Sequence, residues 1–276
     1  MINRDITPAY ADALYIMLGA LVLFLILFMI YLWRAGWGRP APGTTFNLRS
    51  IPAYDATREG LAVAAETGRA VHTSPGSGGV GALGVTTAST LAGMALVESM
   101  ARVSAITGAP VQATTNDAIA YALTDNALRR GYSRAGWSFE SESGGARFLT
   151  HNDPLAYVAA AAEVVGSSRV SHAVMAGQFG PEVLFLTEAQ RRTGAQQIAG
   201  ASGAEAIALL FVTTDHTLIG EEIFASGAYL ERRTSHIASL LAQDGLRWAI
   251  ILLIIVMFIV VNVLGQEWYR IIRLYP

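Results

Sequence analysis

Two stretches of the chain are apolar without interruption. Residues 13–33, ALYIMLGALVLFLILFMIYLW, form an uncharged run of 21, about 31 Å long as a helix at ~1.5 Å per residue, which matches the hydrocarbon core of a bilayer. This run is about twice a secretory h-region, and WRAGWGRP behind it offers no small-residue cleavage site, so it reads as an uncleaved anchor. A second uncharged run, Trp248 to Leu264, has Trp268 and Tyr269 beyond it as interfacial aromatics. Transmembrane helices are therefore predicted over 13–33 and 245–265, with short tails at 1–12 and 266–276.

Between the spans the pattern changes. Residues 34–52 contain GWGRPAPGTTFNLRS and read as a glycine- and proline-rich linker. Beyond it, short apolar strands (Arg69 to Thr73, APVQAT, ARFLT, RVSHAVMAG, AQQIAG) alternate with helices at about 87–107, 116–134, 153–165, 181–192 and 204–212. A last helix is expected from Glu221 toward the membrane, with Gly245 as a hinge. This alternation predicts one α/β domain over 53–244, with a mainly parallel sheet and flanking helices. Strands such as VSHAVMA do not alternate cleanly, as expected for burial on both faces. Asn116-Asp117, Asn152-Asp153-Pro154 and Gly180-Pro181-Glu182 each place a capping residue or an N1 proline beside an acid at a helix start.

Charge alters this picture. Only 14% of the 276 residues are charged, against roughly 25% in an average soluble protein. The spans do not absorb the whole deficit, because residues 40–247 carry 14 arginines and 18 acids in 208 positions, about 15%. Charge-poor surfaces suit burial against other subunits. All 19 basic residues are arginine and cysteine is absent, which argues against Schiff-base enzymes, Walker-type NTPases, kinases, thiolate metal sites and disulfides. A net charge of −2 gives no basic face for nucleic acid.

The glycine-rich stretch Ser74 to Gly84 contains G-x-G-x-x-G at Gly76, Gly78 and Gly81 after a predicted strand. This pattern lets a pyrophosphate approach the backbone in dinucleotide-binding domains. The helix here starts late, and the next strand ends in Ala113-Thr114-Thr115 without an acid for a ribose. A structural or mobile glycine loop, for which an oligomer contact is one setting, is the competing reading. Gln178 ends the best strand, at the edge where open α/β sheets bind ligands. The candidate ligand-binding set is thus Ser74, Gly76, Ser77, Gly78, Gly81, Asp117, Asp153, Gln178 and Ser202. No cofactor is assigned, a nucleotide being the candidate that the glycine loop raises. Ser74, Ser77 or Ser202 as nucleophile, with His72 or His216 as base and Asp117 or Asp153 as orienting acid, would make a triad only if they converged. His216 and Glu221 are the candidate metal ligands, at no spacing that matches a metal signature.

The order of GRAVHTSPGSGG, ASTLAGMALVE, RVSHAVMAGQFGPE, QQIAG, DHTLIGEEIFASGAYL and LLAQDGLRW resembles an uncharacterised family of bacterial two-span membrane proteins, of Chloroflexota type. The resemblance covers most of residues 65–264 and implies a membrane-bound, Rossmann-like domain. It implies no activity and no catalytic residues.

These observations lead to two expectations. One is a membrane-anchored α/β protein that self-associates as a homo-oligomeric scaffold, with the bilayer and its own copies as partners and no catalysis. The alternative is a tethered Rossmann-like domain that binds a nucleotide or another anion. Arg34, Arg39, Arg49, Arg232, Arg233 and Arg247 on the domain side outnumber Arg4, Arg270 and Arg273 on the terminal side, so the positive-inside rule places the domain in the cytoplasm and both termini opposite.

Overall fold

The computed structural model describes residues 8–34, 48–81, 85–138 and 145–264. The chain runs α1 (Pro8–Arg34), α2 (Pro52–Thr67), β1 (Ala70–Gly76), α3 (Val85–Thr107), β2 (Val111–Thr115), α4 (Ala118–Arg134) and β3 (Ala146–Phe148). It continues through α5 (Pro154–Ser167), β4 (Val170–Gln178), α6 (Val183–Arg192), β5 (Gln196–Ala201), α7 (Ala204–Thr213), β6 (His216–Ile219), α8 (Ser226–Tyr229) and α9 (Thr234–Leu264). Two compact units result, residues 49–232 and the terminal segments 1–48 with 233–276.

The terminal unit holds two stretches long and apolar enough to cross a membrane, Tyr15–Arg34 and Thr234–Ile259. Gly245 is not a hinge, because α9 runs through it without a break. The glycine instead faces α1, with Leu27 Cδ1 3.4 Å from where its Cβ would lie. Nor does the last helix begin at Glu221. Residues Gly220–Ala225 form a 3₁₀ turn, α8 has four residues, and Arg232 adopts a left-handed φ of 52° that redirects the chain before α9. Most of the expected linker, residues 35–47, and the terminal residues 1–7 and 265–276 lie outside the described residues.

The other unit is an α/β domain around a six-stranded, wholly parallel sheet in the order β3-β2-β1-β4-β5-β6. This is the doubly wound Rossmann order, in which the chain first builds one half of the sheet outward from β1 and then the other half from β4. Helices α2, α3 and α4 pack on one face, α5, α6 and α7 on the other. β1 is buried at every position and β4 at all but its last, as strands covered on both faces must be. The core on the α5–α7 face is built from Tyr157, Met175, Phe179, Leu186 and Leu210 with several alanines. On the opposite face, small residues bring α3 down onto the central strands. A Cβ on Gly93 would lie 2.0 Å from the Ala176 carbonyl oxygen, so only glycine allows this approach.

Helix α2 occupies residues between the expected linker and first strand, where no helix is predicted. Its signals are present nevertheless: Pro52 at the first turn and Gly68 in the left-handed region at φ 64°, the usual stop for a helix. Tyr54 of α2 stacks on Tyr229 with centroids 5.0 Å apart and donates to the Glu222 carbonyl at 2.6 Å. Those contacts fasten the first helix of this domain to its last turn.

Candidate functional site

In a doubly wound sheet the two halves diverge at the β1–β4 junction, and the loops leaving the carboxyl ends of these strands part to form a crevice. That crevice is present here as a cleft of about 470 Å³, lined by Ser77, Gly78, Gly79, Val80, Asp117, Asn152, Pro154, Gln178, Gly180 and Glu182. Each of the loops after β1, β2, β3 and β4 contributes. Among the described residues the lining holds two acids and no arginine or histidine.

The loop glycines follow from close approach to β4. Gly76 is the ladder partner of Gln178 at φ 115°, and a Cβ on it would fall 2.1 Å from the Gln178 carbonyl oxygen. At Gly78 a Cβ would meet the Gln178 side chain at 2.6 Å. Gly81, at φ 117°, does not line the cleft. Three of the loop amides have partners within the fold: Gly76 N–H donates to Ser74 Oγ at 3.0 Å, Gly78 N–H to the Gln178 carbonyl at 3.1 Å, and Val80 N–H to Asp117 Oδ2 at 3.5 Å. A pyrophosphate cradle needs such amides turned outward. The glycine motif here serves strand packing, in keeping with the structural alternative for this loop.

Both acids are held by their surroundings. Asp117, 6% exposed, caps α4 by accepting from Ala120 N–H at 2.8 Å through Oδ2. Glu182, 8% exposed, accepts from Ser77 Oγ and, at 2.9 Å, from Gly180 N–H, both through Oε1. Among the described residues Asp117 Oδ1 and Glu182 Oε2 have no protein donor. Asn116 ties the wall together, donating to the Ser77 carbonyl at 2.7 Å while its Oδ1 accepts from Thr150 Oγ1 at 2.5 Å.

A buried polar chain lies beneath the cleft. Ser74 Oγ and Tyr157 OH are 2.5 Å apart, Tyr157 OH and Thr114 Oγ1 2.9 Å, and Thr114 Oγ1 and His72 Nε2 2.9 Å. Burial lowers the His72 pKa to about 4, keeping the ring neutral. Burial likewise pushes the Tyr157 phenol up to about 12, against the hydrogen bonds from Ser74 and Thr114 that favour its ionised form. These groups satisfy one another inside the sheet and do not form a nucleophile–base pair.

The sequence candidates therefore divide. Ser77, Gly78, Asp117 and Gln178 line the cleft; Gly76 supports it from the strand, and Ser74 sits in the buried chain. Asp153 caps α5, accepting from Leu155 and Ala156 N–H at 3.1 and 3.0 Å, and only its neighbours Asn152 and Pro154 reach the lining. Ser202 pairs with Ser89 at 2.6 Å, away from the lining. Among the described residues no serine is hydrogen-bonded to His72 or His216 as a triad requires. His216 begins β6 and Glu221 follows its end, and no cluster of three potential ligands occurs among the described residues. Glu182, whose place in the sequence predicts only a helix-start acid, and Asn152 join the lining as well. The signal was the Gly180-Pro181-Glu182 turn directly after the central strand.

A search of curated proteins and a search of solved structures each returned no match. The family model described as "Domain of unknown function (DUF6754)" matches residues 10–272, across both membrane-length helices and the whole sheet domain. The chain belongs to this DUF6754 family.

Proposed function

We propose that the protein is a membrane-anchored binding domain whose cleft at the β1–β4 junction takes a small ligand. The observation that carries this reading is the convergence of four loops on one polar cleft at the sheet edge where open α/β domains bind ligands. The lining disfavours the expected anion, because it supplies two acids and three of the loop amides are already bonded. Gly79 offers a direct test. A Cβ there meets only ordinary contacts, 3.4 Å from Asn152 Oδ1 and 3.5 Å from Asp117 Cγ, so Gly79→Leu fills the cleft without displacing backbone. In a thermal-shift panel of small amines, polyols and phosphate esters on the detergent-solubilised full chain, one class should stabilise the wild type and leave Gly79→Leu unmoved. Equal shifts in both proteins, or none from any class, would remove the cleft as a ligand site.

Self-association into a homo-oligomeric scaffold is a second reading, favoured by a specific observation. Beyond its low charge, the sheet domain exposes large apolar side chains on its helices, among them Ile119 of α4, Phe185 of α6, and Phe211 and Val212 of α7. Such surfaces are stable when covered by another copy.

The arginine distribution supports a cytoplasmic domain with both termini on the opposite side. Because the chain lacks cysteine, labelling of a single Ser138→Cys variant tests this directly. An impermeant thiol reagent should react only after the cells are opened, and reaction with intact cells would reverse the orientation.

A further inference from the structure

Resting on the cleft reading above, we propose that the ligand is a small organic cation, a protonated aliphatic amine whose ammonium group is held by Asp117 and Glu182. Both side chains are more than nine-tenths buried, both line the cleft, and among the described residues neither is paired with an arginine or histidine. Two carboxylates that each turn an unbonded oxygen to one cleft favour a cationic guest there, and among the described residues the lining supplies no counter-charge of its own. Each acid spends one oxygen on the fold and keeps the other: Asp117 Oδ2 caps α4 and Glu182 Oε1 receives Ser77 and Gly180.

Glu182 Oε2 lies over Gly180, where a Cβ would come within 2.5 Å, so the glycine leaves room for the carboxylate at the cleft wall. Asn152 and Gln178 add side-chain amide oxygens as further acceptors for ammonium hydrogens. A phosphate would meet two acids here, and a neutral polyol would leave their charge uncompensated.

The test is calorimetric titration of the full chain in neutral detergent with 1,4-diaminobutane, 1,4-butanediol and inorganic pyrophosphate. The diamine should bind, and the diol and pyrophosphate should not. Asp117→Asn and Glu182→Gln keep the cap and the Ser77 acceptor while removing one charge each, and each should weaken the diamine about tenfold or more. Binding of the diol or pyrophosphate in place of the diamine, or unchanged diamine affinity in both variants, overturns the cation assignment and leaves the cleft reading standing. If none of the three binds, the cation assignment fails, and the wider panel with Gly79→Leu decides whether the cleft reading fails with it.

Discussion

The Ser77 hydroxyl donates to Glu182 Oε1, joining the loop after β1 to the loop after β4 across the switch point of the sheet. The same oxygen receives the Gly180 amide. One buried carboxylate oxygen thus fixes both walls of the cleft, so Glu182 has a structural role separable from its charge.

Replacing Glu182 distinguishes the two roles. Glu182→Ala strands the Ser77 hydroxyl and the Gly180 amide, at a cost of about 1–3 kcal/mol. Glu182→Gln retains the acceptor and should stay within about 1 kcal/mol of wild type. Thermal melts of the two variants check this; equal losses would mean that the charge, and not the acceptor, holds the loops.

Gly93 sets the height of α3 above the sheet. Gly93→Ala places a Cβ 2.0 Å from the Ala176 carbonyl oxygen and 2.7 Å from Pro75 Cα, both backbone atoms that cannot rotate away. The cost should be about 2–3 kcal/mol, lowering Tm by about 5–10 °C. Gly166→Ala, in the last turn of α5 with open space around it, is the control and should hold or slightly raise Tm. A Gly93→Ala protein as stable as wild type would show that α3 rides higher on the sheet.

Acid should loosen the domain through His72. Its pKa of about 4 when folded lies below the ordinary ~6.5, so the unfolded chain takes the proton first. The stability of the neutral ring is complete above about pH 6.5 and is lost as pH falls toward 4, by up to about 3 kcal/mol. Burial also lowers the His172 pKa, which adds to the loss with the same sign. His72→Gln removes the titrating group, so its Tm should fall less steeply than that of wild type between about pH 6.5 and 4.5. Parallel slopes would place the acid sensitivity elsewhere.

Self-association is measured by mass. Light scattering on the detergent-solubilised protein should give a multiple of the 29.3 kDa chain, and Phe185→Glu with Phe211→Glu should reduce it. A single-chain mass in the wild type at micromolar concentration contradicts the second reading.

The architecture was legible because it is written in periodicity. Strand β4 is legible in RVSHAVMAG, a mostly apolar stretch that does not alternate, and α4 and α5 in Asp117 and Asp153, which cap them. The site was harder to read, since its residues owe their roles to distant partners. Gly78 looks like a phosphate contact until Gln178, a hundred residues on, is seen packed against it. Glu182 looks like a helix-start acid until Ser77 reaches it from β1. Helix α2 escaped because mixed polarity hid its buried face, although Pro52 and Gly68 marked its ends.

The central claim, that the β1–β4 cleft is the binding site, is tested most directly by hydrogen exchange on the full chain with and without each compound of the amine, polyol and phosphate-ester panel. The expected result is slowed exchange with one class, confined to the segments 77–80, 116–120, 150–154 and 178–182, and absent in Gly79→Leu. No ligand-dependent protection in these four segments, or the same protection in Gly79→Leu, would contradict it.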